Sequence, residues 1–134
     1  MPAATEYATR GKIIDVKEGV IVFNPRGTTY QLHLKHTGET PPLNQPVDLV
    51  IRGMARKVWT VASGGNFITP IVGPCKIVQG RVKSVTDSEL VVHAGANFVI
   101  ALPKADSAVD LPVGAITVGK MVNVTLLPGA SAEL

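Results

Sequence analysis

The sequence predicts an all-β protein made of two pseudo-symmetric repeats, each a small β-barrel packed closely on the other. Three observations carry this expectation. Gly11-Lys12-Ile13-Ile14-Asp15-Val16, followed by Ile21-Val22-Phe23, returns 69 positions later as Gly80-Arg81-Val82-Lys83-Ser84-Val85, followed by Leu90-Val91-Val92. Short β-branched runs alternate with Gly, Pro and Asn about every ten residues. No long window carries an apolar stripe of helical period.

The repeat extends beyond its opening strand. Tyr30, Leu32 and Leu34 align with Phe98, Ile100 and Leu102, and Val47, Leu49 and Ile51 align with Val122, Val124 and Leu126. A repeat of that length is a whole small fold. We place the first copy at residues 1–73, with an extra C-terminal hairpin, and the second at 74–134, divided at Gly73-Pro74.

Each opening strand sets two apolar residues three apart, Ile13 and Val16 or Val82 and Val85. Both face one core only if the strand bulges between them. Asn24-Pro25-Arg26-Gly27 supplies turn residues between the runs 20–23 and 29–34, and His93-Ala94-Gly95-Ala96 does so in the second copy. Breaker-rich loops at Thr37–Pro46 and Lys104–Gly119 lead to strands at Val47–Ile51 and Val122–Leu127. Lys57–Ala62 and Phe67–Val72, joined by Ser63-Gly64-Gly65-Asn66, read as the extra hairpin, with Trp59 packing on Phe67 across it. Pro70 marks an edge or a kink, and Gly129–Leu134 reads as a frayed tail.

Hydrophobic residues at 46% and charged residues at 17% are globular composition, not that of a disordered chain. The single cysteine, Cys75, cannot form an internal disulfide and reads as a small buried hydrophobe in a reducing compartment. No signal-like segment opens the chain and no apolar run approaches membrane-helix length, so we expect a soluble, cytoplasmic protein without a membrane partner. The net charge of +3 is uneven: residues 1–79 hold nine Lys/Arg against five Asp/Glu, and residues 80–134 hold four against five.

Chemistry-bearing motifs are sparse. His33, His36 and His93 lack companions at ligand spacing, so no metal site is expected. No serine stands in a nucleophile elbow, Asp15, Glu18 and Asp87 form no paired-carboxylate site, and no cofactor motif is present; we expect no enzyme. Small five-stranded barrels of the OB type often bind single strands on one sheet face. The basic cluster Arg52, Arg56 and Lys57 beside Trp59 is therefore the candidate contact for nucleic acid or another anion. A second candidate is an assembly surface. Val91, Val99 and Ala101 make the second copy's outer face apolar where the first presents Thr29, Gln31 and His33, so a homo-oligomer or protein partner is expected to cover them unless the first copy does.

The Gly-x-Val-x-x-Val type of opening at Gly11–Val16 and Gly80–Val85, in repeats just under seventy residues long, resembles the Mop/TOBE group of tandem OB-like domains. That resemblance implies binding of molybdate or a related oxyanion, or service as a regulatory barrel attached to a transporter; glycine-rich turns near the junction of the copies make that junction the candidate place for a small oxyanion. Where that group carries Ser-Ala-Arg-Asn, this chain has Ala8-Thr9-Arg10 and Cys75-Lys76-Ile77-Val78-Gln79. Its Lys-Ala-Ser/Thr element is matched loosely by Arg52-Gly53-Met54-Ala55.

Overall fold

The computed structural model describes residues 7–36, 38–40, 42–62, 64–86, 88–102 and 116–133. Ser63, Asp87 and most of the loop expected at Lys104–Gly119 lie outside them. All regular structure among the described residues is β. The strands are β1 (Thr9–Lys17), β2 (Val20–Pro25), β3 (Gln31–Lys35), β4 (Pro46–Thr60), β5 (Phe67–Thr69), β6 (Val72–Pro74), β7 (Ile77–Val85), β8 (Glu89–His93), β9 (Asn97–Ala101), β10 (Met121–Leu126) and β11 (Ser131–Glu133). They form one mixed sheet.

Both opening strands bulge where the apolar spacing requires it. Between β1 and β2 the register passes from Ile13↔Phe23 to Asp15↔Val22, leaving Ile14 extra. Between β7 and β8 it passes from Val82↔Val92 to Ser84↔Val91, leaving Lys83 extra. Ile13 and Val82 are fully buried. Val16, expected in the core, is 40% exposed, because β1 runs on past the core toward its turn with β2.

The two turn regions expected inside the copies connect β2 to β3 and β8 to β9. In the first, Asn24 Nδ2 donates to the Thr28 and Tyr30 carbonyls at 3.0 and 2.7 Å, which holds the turn closed. Phe98 is fully buried. Tyr30 is half-buried, and its hydroxyl accepts the Ile68 N–H at 3.1 Å.

β4 is the longest strand and the most connected. Its residues 46–49 pair with β1, 50–52 with β11, 51–54 with β9 and 55–60 with β10. This corrects the hairpin expected at 57–72. Residues 57–60 continue β4 and lie along β10, while β5 pairs with β7, setting Phe67 opposite Gln79 and Trp59 opposite Asn123. The turn residues at 63–66 do not join the two arms as a pair, because each arm pairs with a strand from the second half of the chain. Pro70 separates β5 from β6, which pairs with β3. The expected frayed tail is also corrected: Ser131–Glu133 inserts beside β4, with Ala130 and Ala132 buried.

The main core is one buried cluster that takes residues from both halves of the chain, with Phe23 and Phe98 its largest side chains. A second, smaller cluster lies apart from it and contains Val50, Val91 and Val99, with Tyr7 and Ala8 packed on it.

Candidate functional site

The cluster expected around Trp59 comes together only in part. Lys57 Nζ stands 5.8 Å from the Trp59 ring centroid, so the two share the outer face of β4. Arg56 is exposed beside them, set out by the register shift between β4 and β10. Arg52 is a different kind of residue. Its Nε donates to Glu133 Oε2 at 2.9 Å, its Nη1 lies 3.5 Å from Glu89 Oε2, and its side chain is 28% exposed. Its charge is spent holding β8 and β11 to the middle of β4.

Val91 and Val99 are each 4% exposed and Ala101 is half-buried. The cover comes from Val50 of β4 and from Tyr7 and Ala8 just before β1. The chain itself therefore closes the apolar face offered as an assembly surface, and Val91 and Val99 are not left for a second copy. Sequence alternation located the face but could not say which segment would lie on it.

A different cluster of cations gathers on the outer face where β1 meets β2 and β4. Gly11 is the floor. It pairs with Pro25 on one side and Val47 on the other, and a Cβ there would overlap the Asn24 carbonyl oxygen and the Phe23 ring. Alternation along β1 then sends Arg10 and Lys12 outward on either side of it. The turn after β2 returns Arg26 to the same place, its backbone N–H donating to the Arg10 carbonyl at 2.9 Å. Asn44 completes the rim. It holds φ at 63°, and its N–H donates to the Ile13 carbonyl at 2.9 Å. Together with Asn24, Gly27 and Pro46 these residues line a cleft of about 520 Å³.

The electrostatics of this cleft are one-sided. Arg10, directly opposite Asp48 in the ladder, pairs with it at 2.9 Å, and both side chains are about half exposed. Among the described residues that is the one ion pair made by Arg10, Lys12 or Arg26, and no carboxylate lines the cleft. An exposed pair of this kind contributes only about 0–1 kcal/mol, so an incoming anion can share Arg10. The sequence signal for this site was present but spread out. Counting charge placed the excess in the first copy, yet adjacency favoured Arg52, Arg56 and Lys57. Arg10-Gly11-Lys12 and Arg26 become neighbours only through the β1–β2 ladder.

No protein-family model matches the chain, and no curated protein or solved structure is significantly similar to it.

Proposed function

We propose that this protein is a non-enzymatic binding module built from a duplicated small β-barrel, and that the cleft around Gly11 receives an anionic partner. The observation that carries the reading is the convergence of Arg10, Lys12 and Arg26 on one concave surface, with Asp48 the one carboxylate paired with them among the described residues. The lining consists of cations, two asparagines, two glycines and a proline, which is a set for holding charge and not for nucleophilic or acid–base chemistry.

The pairing pattern supports the duplicated barrel. β1, β2, β3, β11 and β4 form a circuit that returns to β1, and β4, β10, β7, β8 and β9 form a second that returns to β4. Both opening strands bulge at the same repeat position. Gly11 and Gly80 are both pressed against a carbonyl oxygen of the following strand, that of Asn24 or His93. We read two five-stranded OB-like barrels sharing β4. The alternative of an assembly module on Val91, Val99 and Ala101 is weakened, since Val91 and Val99 are covered within the chain and only Ala101 is left half-buried.

A titration with inorganic polyphosphate, followed through backbone amide resonances, tests the reading. Shifts should centre on Gly11, Lys12, Gly27 and Asn44 and should vanish in a Lys12→Ala/Arg26→Ala protein. Shifts confined to Arg56, Lys57 and Trp59, or none at all, would refute it.

A further inference from the structure

Resting on the reading of the Gly11 cleft as an anion site, we infer that its ligand is the phosphodiester backbone of a nucleic acid, held without reading of bases. Sites for a single small oxyanion gather backbone N–H groups into a nest. Here the Arg26 N–H already serves the Arg10 carbonyl and the Asn44 N–H the Ile13 carbonyl, so the turn and the rim do not gather their N–H groups into a nest. The Asn24 amide is occupied by the carbonyls of Thr28 and Tyr30. What the described lining offers a ligand is chiefly three long cationic side chains, with the Asn44 amide at the rim. A space of 520 Å³ would leave one tetrahedral ion surrounded by water at roughly 30 Å³ per molecule.

The arrangement suits a chain of anions instead. Arg10 and Lys12 point the same way two residues apart on β1, roughly 7 Å at ordinary strand rise. That separation is close to the distance between successive phosphates of one nucleic-acid strand, so the two side chains engage neighbouring phosphates. Arg26 adds a third contact from the turn, with a guanidinium fork matched to phosphate oxygens. Among the described residues no aromatic side chain lines the cleft, so bases find no stacking platform among them, and positioning contacts to phosphate carry no sequence information.

Fluorescence anisotropy with labelled oligothymidine, oligoadenosine and a mixed-sequence duplex, at a series of salt concentrations, tests this on the full chain. Three phosphate contacts predict a slope of log K against log salt of about −2 for single strands and about −2.7 for duplex. That is a loss of roughly 20- to 40-fold between 50 and 200 mM salt. Lys12→Ala and Arg26→Ala should each flatten the slope by roughly 0.7 to 0.9 while the urea midpoint stays in place, and Arg56→Ala should leave the slope unchanged. Affinities for the two homopolymers should agree within threefold. Polyphosphate binding at the cleft without nucleic-acid binding would overturn this inference and leave the anion site standing. A tenfold preference for one base, tenfold tighter binding of a heparin-derived oligosaccharide, or slopes that respond to Arg56→Ala but not to Lys12→Ala would each overturn it as well.

Discussion

Gly11 and Gly80 occupy matching places in two ladders, and their surroundings differ in one instructive respect. Gly11 pairs with Val47 and Gly80 with Val122, and each leaves no room for a Cβ beneath a neighbouring carbonyl. The residue before each glycine faces a partner across the ladder: Arg10 opposite Asp48, and Gln79 opposite Asn123. The first pair is ionic and exposed. The second is a pair of amides, with Asn123 Nδ2 donating to Gln79 Oε1 at 3.0 Å. The chain lies over it, and Gln79 Nε2 donates to the Gly65 carbonyl at 3.0 Å. Laying a segment over Arg10 and Asp48 would take two charges out of water at a cost of several kcal/mol each, whereas neutral amides tolerate the cover at lower cost, even with Asn123 Oδ1 left without a partner among the described residues. The glycine is a backbone requirement in both places. The charge beside it decides whether the surface stays open.

The largest expected effect tests the shared requirement. Gly11→Ala and Gly80→Ala should each destabilise the fold by about 3 kcal/mol, since the new methyl group meets backbone that cannot move aside without breaking a ladder. Urea unfolding measures this, and a loss under 1 kcal/mol at one position with a full loss at the other would break the equivalence.

The outer faces of the two halves differ as well. Val91 and Val99 lie beneath Tyr7 and Ala8, while Gln31 and His33 are half-buried. Val99→Lys should cost about 2 to 3 kcal/mol, less than a fully trapped charge because a lysine stem at the edge of a small cluster extends toward water. His33→Lys should change stability by under 0.5 kcal/mol. Equal unfolding midpoints for the two variants would mean that the covered face contributes nothing.

Tyr30 and Phe98 align in the repeat but differ by one hydroxyl, and that hydroxyl accepts the Ile68 N–H. Tyr30→Phe should therefore cost about 1 to 2 kcal/mol by leaving a half-buried donor unpaired. Hydrogen exchange at Ile68 should accelerate in the same protein; an unchanged rate would show that water already serves that amide.

At Cys75, burial pushes the thiol up from 9.0 to about 12, with a backbone hydrogen bond opposing the shift. The native chain keeps a proton there that the unfolded chain releases, so this contribution is complete below pH 9 and is lost as pH rises toward 12. By pH 10 the loss amounts to about 1 kcal/mol. Cys75→Ala should remove that part of the alkaline loss, read as the difference between the two proteins' pH-stability curves.

What the sequence made legible follows from the range of each signal. Alternation and turn residues act within a few positions, so Ile13 and Phe23, the turn at 24–27 and both bulged strands could be placed from local pattern. Strand partners chosen across the whole molecule could not. The segment 57–60 looked like one arm of a local hairpin because Gly64, Gly65 and Asn66 follow it, yet its partner is β10, more than sixty positions away. The same limit hid the site. Arg52, Arg56 and Lys57 stand close in sequence, but Arg52 is taken by Glu89 and Glu133, contacts that run between distant strands.

The smallest expected effect sharpens the comparison most finely. Asn44 is the one non-glycine residue with positive φ among those described, and Gly119 holds φ at 91° at the matching place in the second half. Each donates its N–H across the ladder, Asn44 to the Ile13 carbonyl and Gly119 to the Val82 carbonyl at 2.8 Å. The backbone thus demands a left-handed residue before each return strand, and asparagine meets the demand because its short polar side chain tolerates that region. Asn44→Gly should change stability by under 0.5 kcal/mol, while Asn44→Ala should cost about 1 kcal/mol, because alanine keeps the Cβ but lacks the short polar side chain that offsets its left-handed penalty. Since Asn44 also lines the cleft, the glycine variant separates its two roles: polyphosphate affinity should fall about twofold with the urea midpoint unchanged, as expected for one exposed amide at the rim. If Asn44→Gly instead lost as much stability as Asn44→Ala, the side chain and not the backbone angle would be what this position requires, and the correspondence with Gly119 would fail.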